Sequence, residues 1–235
     1  MVFETEDSLF SPAHADKGTL AMLSAALPGI ESYVSAQEPD DTLKILDLGC
    51  GCGIAGIFLA RKFPRAEVVF TDVEPKAVAI TGTNAAQNLG GTANVTFFTG
   101  DAYSAVPCRD FDFILSNPPY HTDFSVAKRF IEGAFTHLKT GGALFMVTKR
   151  KDWYLNKLKA VFGGCRVTEA DGYFVFEAVK KSPERPKKKT AAEKNPSGMS
   201  QKLLRKSQKL QIKKSGREPQ KTKENKSGNK PFSRF

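Results

Sequence analysis

Residues 47 to 53 read DLGCGCG, three glycines at alternate positions behind a carboxylate, and the reading of this stretch decides the fold. It follows a short apolar run, KILDLG (44–49), and leads into an amphipathic one, GIAGIFLARKF (53–63), so it joins a strand to a helix. Alternate glycines let the backbone turn sharply and approach a ligand more closely than any residue with a Cβ permits. The helix that follows turns its free N–H groups toward a negative group. In a wound α/β sheet such a loop occupies the crevice at the strand ends, where ligands bind.

The pattern repeats outward from this point. EVVFTDV (67–73), NVTFFTGD (94–101), FDFILSN (111–117) and ALFMVTK (143–149) are near-continuous apolar runs, which predicts strands covered on both faces. Between them, PKAVAITGTNAAQNLG (75–90) is opened by a proline and closed by a glycine, as a helix should be. In FSVAKRFIEGAFTHLKTGG (124–142), Ala127, Phe130, Ile131, Ala134, Phe135 and Leu138 form one helical stripe, with Gly141-Gly142 as its stop. After a further helix, KDWYLNKLKAVFG (151–163), two β-rich runs joined by Asp171-Gly172 predict an antiparallel hairpin. The expected fold is therefore α/β: a wound, mostly parallel seven-stranded sheet ending in a hairpin. Residues 1–43 read as a loop and one helix, starting near Asp16, that packs on a core formed by 44–180.

Charge divides the chain in two. From Lys180 to Phe235 there are 19 Lys and Arg against 4 Asp and Glu, a net of +15; with +10 for the whole chain, residues 1–179 carry −5. Residues 181–235 are rich in Lys, Pro, Ser, Gly and Gln and poor in large apolar residues, which predicts a disordered basic tail. Leu203, Ser207 and Leu210 stand at helical spacing within it, as a segment that folds on a partner would. Lys-rich arms bind polyanions through counterion release, so RNA or DNA is the expected partner. Cys50, Cys52, Cys108 and Cys165 lack the spacing of a zinc site or disulfide framework, and no metal is expected. No signal pattern or bilayer-length apolar stretch is present, so the sequence reads as soluble and intracellular.

Gly51, Gly53 and Gly56 spell G-x-G-x-x-G, and Asp72, at the end of the next strand, is placed to accept from both hydroxyls of a ribose. Together these specify an adenosine-type cofactor, which a dehydrogenase would also use. Two more carboxylates narrow the choice. Asp47 precedes the glycines, where it could bind the amino group of an amino-acid-bearing cofactor, and Asp101 ends the third strand, where it could accept from an adenine amino group. DLGCGCG, TDVEPKA, TGDA and SNPPY, in this order and spacing, resemble the class I methyltransferases that use S-adenosylmethionine. The resemblance implies cofactor contacts from Asp47, Gly49, Gly51, Gly53, Asp72, Val73, Asp101, Ala102 and Asn117. Asp16, Lys17, Gly18 and Thr19 match a family segment near the cofactor, which adds Lys17 and Thr19.

SNPPY (116–120) then has a chemical reading. The Asn117 side-chain oxygen and the following carbonyl can accept both N–H groups of a planar amino group, whose delocalised lone pair makes it a poor nucleophile. Pro118 and Pro119 stiffen that backbone, Pro119 offers no competing N–H, and Tyr120 presents a face for base stacking. In the family this motif marks transfer to adenine N6, cytosine N4, guanine N2 or a glutamine amide. NPPYH, LFSPAHADKGTLAML and the segments over 124–180 resemble the small-domain ribosomal RNA guanine-N2 methyltransferases, over about residues 8–180. The resemblance implies a ribosomal RNA substrate and a cytoplasmic enzyme, although RPKKKT also fits a nuclear address. His121 and Phe124 join Tyr120 as substrate-contact candidates. The best-known members carry an additional N-terminal domain, so the tail is expected to grip the RNA. The alternatives are an adenine-N6 methyltransferase, a protein glutamine-N5 methyltransferase and a non-catalytic RNA-binding module.

Overall fold

The structure is a computed structural model and describes residues 1–5, 16–38, 40–91, 94–119 and 124–186. The expectations for Tyr120, His121 and the helical spacing at 203–210 lie outside the described residues. In chain order the elements are α1 (Lys17–Ser35), β1 (Lys44–Leu48), α2 (Ile54–Lys62), β2 (Glu67–Asp72), α3 (Pro75–Leu89), β3 (Asn94–Thr99), β4 (Phe111–Ser116), α4 (Phe124–His137), β5 (Leu138–Thr148), α5 (Lys151–Phe162), β6 (Arg166–Ala170) and β7 (Tyr173–Val179).

The seven strands form one sheet in the order β3-β2-β1-β4-β5-β7-β6. β1 to β5 are parallel and the β6–β7 hairpin is antiparallel, as expected. Alternation along each strand divides the core. Ile45, Phe113, Leu115, Phe145 and Val175 face α1, α2 and α3, whereas Leu46, Ile114, Leu144, Met146 and Phe176 face α4 and α5. Asp171 and Gly172 turn the hairpin with φ of 51° and 77°, the pair of left-handed residues that a tight hairpin turn matching strand twist requires. Past β7 the chain continues to Pro186, with the Arg185 guanidinium over the Phe135 ring and donating to the Glu132 carbonyl.

Two expectations need correction. β3 is only half covered, because among the described residues it is an edge strand with no neighbour beyond it. Leu138 belongs to β5 and not to the helical stripe: α4 ends at His137, and Leu138 pairs with Phe111. The next paired residues are Phe113 and Ala143, so 139–142 bulge outward, and Gly141-Gly142 serve that bulge instead of a helix stop. A Cβ on Gly142 would stand 2.8 and 2.9 Å from the Asp112 and Phe111 carbonyl oxygens. Leu138 reaches the same apolar layer from extended backbone, which is why periodicity alone assigns it to the helix.

Asp112 fastens the far end of the sheet. Its buried carboxylate accepts from Tyr33 Oη at 2.7 Å, Lys44 N at 2.8 Å and Lys139 Nζ at 2.8 Å, joining α1, β1 and β5. Burial, reinforced by the Asp112 bond and charge, holds the Tyr33 phenol above its ordinary value. Among the described residues, no helix is long and apolar enough to cross a membrane. Asp112→Ala strands the Tyr33 hydroxyl and the Lys44 N–H, and should cost about 3 kcal/mol in urea unfolding; a loss below about 1 kcal/mol would contradict this role.

Candidate active site

β1 lies where the strand order reverses, since the chain runs outward through β2 and β3 and then returns to lay β4 on the other side of β1. α2 leaves β1 on one face and α4 follows β4 on the other, so a crevice opens between the two strand ends. The glycine loop lines it. Gly49 N and Cys50 N donate to the Thr71 carbonyl at 2.8 and 3.0 Å, which pins the loop to β2. Gly53 begins α2 at φ 81°, where a Cβ would stand 2.6 Å from Thr81 Cγ2. A Cβ on Gly56 would fall 2.3 Å from the Phe70 ring, so this glycine lets α2 press on β2.

The carboxylates differ in setting. Asp47 is buried, and Oδ2 accepts from Gly56 N at 2.8 Å. Burial pushes its carboxyl from 3.8 up to about 7, against the lowering by the Gly56 N–H, and the nearby Asp72 charge adds to the rise. Asp72 accepts from Gly51 N through Oδ2 and from Glu74 N through Oδ1, each at 3.0 Å. Its orientation is thereby fixed while lone pairs remain for hydroxyl donors. Asp101 faces Arg129 of α4 at 3.2 Å in a half-exposed ion pair across the crevice mouth. Ala102 beside it holds φ 54°, and the Val73 side chain is 60% exposed.

Asp72, Val73, Asp101, Ala102, Asn117 and Pro119 are among the residues walling a cavity of about 520 Å³, within the range of small-ligand sites. A second, narrower space of about 70 Å³ lies between Asp16, Thr19, Asp47, Gly49 and Asn117. Asn117 therefore stands between the two. Its Nδ2 donates to Asp16 Oδ2 at 2.5 Å and to Thr19 Oγ1 at 3.1 Å. Asp16 also caps α1 by accepting from Thr19 N at 3.0 Å. With the amide hydrogens committed, Oδ1 is the buried atom left with no partner among the described residues. Pro118 is buried and Pro119 exposed.

Not every expected residue reaches this place. Lys17 is exposed and borders neither space. Phe124 stacks on Trp153 at 4.3 Å, away from both. Other residues were missed by sequence reasoning. Thr81 Oγ1 donates to the Gly51 carbonyl at 2.9 Å, and Asn84 Nδ2 donates to the Cys52 carbonyl at 2.9 Å, so α3 holds two carbonyls of the loop. Asn84 also exchanges both backbone bonds with Glu4, N–H at 2.7 Å and carbonyl at 2.9 Å, and Asn88 does the same with Val2. The available signal was two polar residues at i, i+3 on the face of α3 that carries Ala77 and Ala85, since full burial of such groups is uncommon. Burial and the Asp47 charge raise the Cys50 thiol well above its ordinary value, so it is no thiolate nucleophile at neutral pH.

A wound sheet with a cavity at its switch point, bordered by an asparagine whose buried oxygen has no partner among the described residues, defines a cofactor-binding α/β protein. The chain belongs to the methyltransferase small domain family, whose model matches residues 1–177. It is 38% identical over 143 residues to the ribosomal RNA large subunit methyltransferase G of Streptomyces avermitilis, covering 59% of this chain and 37% of that one. It is 32% identical over 178 residues to the ribosomal RNA small subunit methyltransferase C of Pseudomonas entomophila, covering 73% of this chain and 49% of that one. Among solved structures, the 16S rRNA N2 methyltransferase RsmC of T. thermophilus, in complex with AdoMet and guanosine, superposes with a TM-score of 0.62 at 27% identity, over 73% of this chain and 45% of that one. The chain thus spans less than half the length of these relatives.

The elevated Asp47 carboxyl has a stability consequence. The folded protein binds this proton more tightly than the unfolded chain, so Asp47's contribution is full below about pH 4 and is lost as pH rises toward 7. Urea midpoints at pH 5 and pH 8 should fall further for the wild type than for Asp47→Asn; parallel lines would refute the shift.

Proposed function

We propose that this chain is an S-adenosylmethionine-dependent methyltransferase that modifies an exocyclic amino group of a base in ribosomal RNA, guanine N2. The observation that carries the reading is the unpartnered Oδ1 of Asn117, buried at the end of β4 and bordering the cavity. The matched relatives support the substrate class, since both curated ones are ribosomal RNA methyltransferases and the solved one holds AdoMet and guanosine.

The residues present fit the cofactor. Asp47, when ionised, offers a buried counter-charge for an ammonium group, Asp72 accepts from ribose hydroxyls, and Val73 gives an apolar surface for adenine. The half-exposed Asp101 accepts from the adenine amino group where Arg129 leaves it a lone pair. Gly49, Gly51, Ala102 and Thr19 shape the walls, whereas Gly53 lines neither space and starts α2 behind them. Bound there, S-adenosylmethionine supplies an electrophilic methyl group on a sulfonium. Asn117 Oδ1 and the Pro118 carbonyl would accept the two N–H groups of the target amine, so its lone pair is left free to meet the methyl donor and charge developing on nitrogen is stabilised. Asp16 and Thr19 keep the Asn117 amide from turning its NH2 toward the substrate. Pro118 and Pro119 hold the carbonyl still. The methylated nitrogen sheds one proton to water after transfer, so positioning supplies most of the catalysis and no side-chain base is needed. Tyr120 and His121 are proposed to contact the base.

The basic tail is proposed as an RNA-holding element for an enzyme that works in the cytoplasm. Deleting residues 187–235 should weaken RNA binding and flatten its salt dependence; an unchanged Michaelis constant would remove the tail from this role.

Asn117→Ala should lower methyl transfer to undermodified ribosomal RNA by roughly 100- to 1,000-fold while leaving cofactor affinity within a few-fold, with product read by nucleoside mass spectrometry. N2-methylguanosine is the expected product; N6-methyladenosine would change the base, and label in protein alone would replace RNA with a glutamine substrate. Because the ammonium group needs ionised Asp47, cofactor affinity should rise about tenfold from pH 6 to pH 8 in calorimetry, with proton release, and Asp47→Asn should abolish that dependence.

A further inference from the structure

Lys149, Arg150 and Lys151 form a run of three exposed cations in a segment of the chain whose net charge is −5. They follow β5, the strand beside β4. Ser116 pairs with Met146, so this turn leaves the sheet at the same end as Asn117, one strand away. Each cation lies over an aromatic ring: Lys149 Nζ over Tyr173 at 4.9 Å, the Arg150 guanidinium over Phe124 at 5.1 Å, and Lys151 Nζ over Phe174 at 5.1 Å. Thr148 pairs with Phe174 across the sheet, which brings the hairpin rings under the turn. Phe124 stacks in turn on Trp153, with 4.3 Å between centroids and 14° between planes.

Carboxylates of the domain are taken by other cations. Arg129, Lys139 and Lys157 pair with Asp101, Asp112 and Glu132. Among the described residues no carboxylate pairs with Arg150 or Lys151, and the adjacent Asp152 does not reach them. Ring faces hold the stems in place, and Arg150 and Lys151 are exposed, which leaves their charges open to a partner in solution. A pre-ordered row of cations on an aromatic bed suits a single strand of nucleic acid, whose phosphates take the charges and whose bases stack on exposed planar groups.

We infer that the Lys149-Arg150-Lys151 turn, on its bed of Phe124, Trp153, Tyr173 and Phe174, grips the phosphate backbone of the unpaired RNA strand beside the nucleotide that enters the Asn117 site. This rests on the reading that the site acts on RNA. It also gives Phe124 a place in substrate binding outside the base cavity, as the support of a phosphate-binding arginine.

The test uses the full chain and its single tryptophan, Trp153, which lies in the patch. Wild type, Arg150→Gln, Lys151→Gln and the double variant are titrated with an unpaired, guanosine-containing RNA oligonucleotide at several salt concentrations, and methyl transfer to the same RNA is measured. Glutamine keeps a stem to pack on the ring, and Arg150→Lys restores the charge. RNA should quench Trp153 in the wild type. Each lost charge should reduce the slope of log affinity against log salt by about 0.7 and raise the Michaelis constant for RNA several-fold, with kcat and cofactor affinity unchanged and the Lys variant near wild type. A wild type that methylates the RNA while the double variant keeps its Michaelis constant and salt slope overturns this inference alone. A wild type that binds cofactor yet puts no methyl group on any RNA overturns the functional reading and this inference together.

Discussion

Everything at the candidate site depends on one topological constraint, the return of the chain from edge strand β3 to lay β4 beside β1. Adjacent parallel strands whose following helices lie on the same face close over their own ends. Here α2 and α4 depart to opposite faces, so the ends of β1 and β4 stay uncovered. The glycine loop and the Asn117 turn occupy those two ends. Their separation is set by strand spacing, about 4.8 Å between neighbours, and needs no dedicated scaffold. Asp112 secures the opposite end of the same strands with three hydrogen bonds, leaving the open end free of that task.

A second level of organisation orients the polar groups. Asn117 has one productive amide orientation because its NH2 is held by Asp16 and Thr19 from the first turn of α1. Asp72 is held by two backbone donors, and the glycine loop by Thr71, Thr81 and Asn84. Electrostatic stabilisation depends on groups that need not reorganise during reaction. Committing the Asn117 NH2 while its Oδ1 stays unpartnered among the described residues achieves this in a small domain.

Most of the fold was legible in the sequence because it is local. Strand-length apolar runs, the Pro and Gly at the ends of α3 and the Asp171-Gly172 turn each state their structure within a few residues. The carboxylates of Asp47, Asp72 and Asp101 could be placed because strand ends converge in a wound sheet. What was not legible is what depends on distant partners. Nothing near Asp101 foretells Arg129, and nothing near Asn84 foretells Glu4. Leu138 fits a helical stripe and a strand equally well, and the bulge opposite Phe111 decides between them. The ring of Phe124 is apolar enough for a base pocket, yet Trp153 and Arg150 enclose it elsewhere.

The hydrogen bond between Asp16 and Asn117 joins residues 101 positions apart. At about 5 to 20 residues added per second on the ribosome, the start of α1 waits roughly 5 to 20 s before its partner is made. During that time Asp16 has its own Thr19 N–H to cap, so α1 does not need β4 in order to begin. The orientation of the Asn117 amide, by contrast, cannot precede the joining of the two ends of this span. The partners of the glycine loop, Thr71, Thr81 and Asn84, are all made before Asn117, and no fragment ending before Asn117 contains both the loop and the acceptor oxygen.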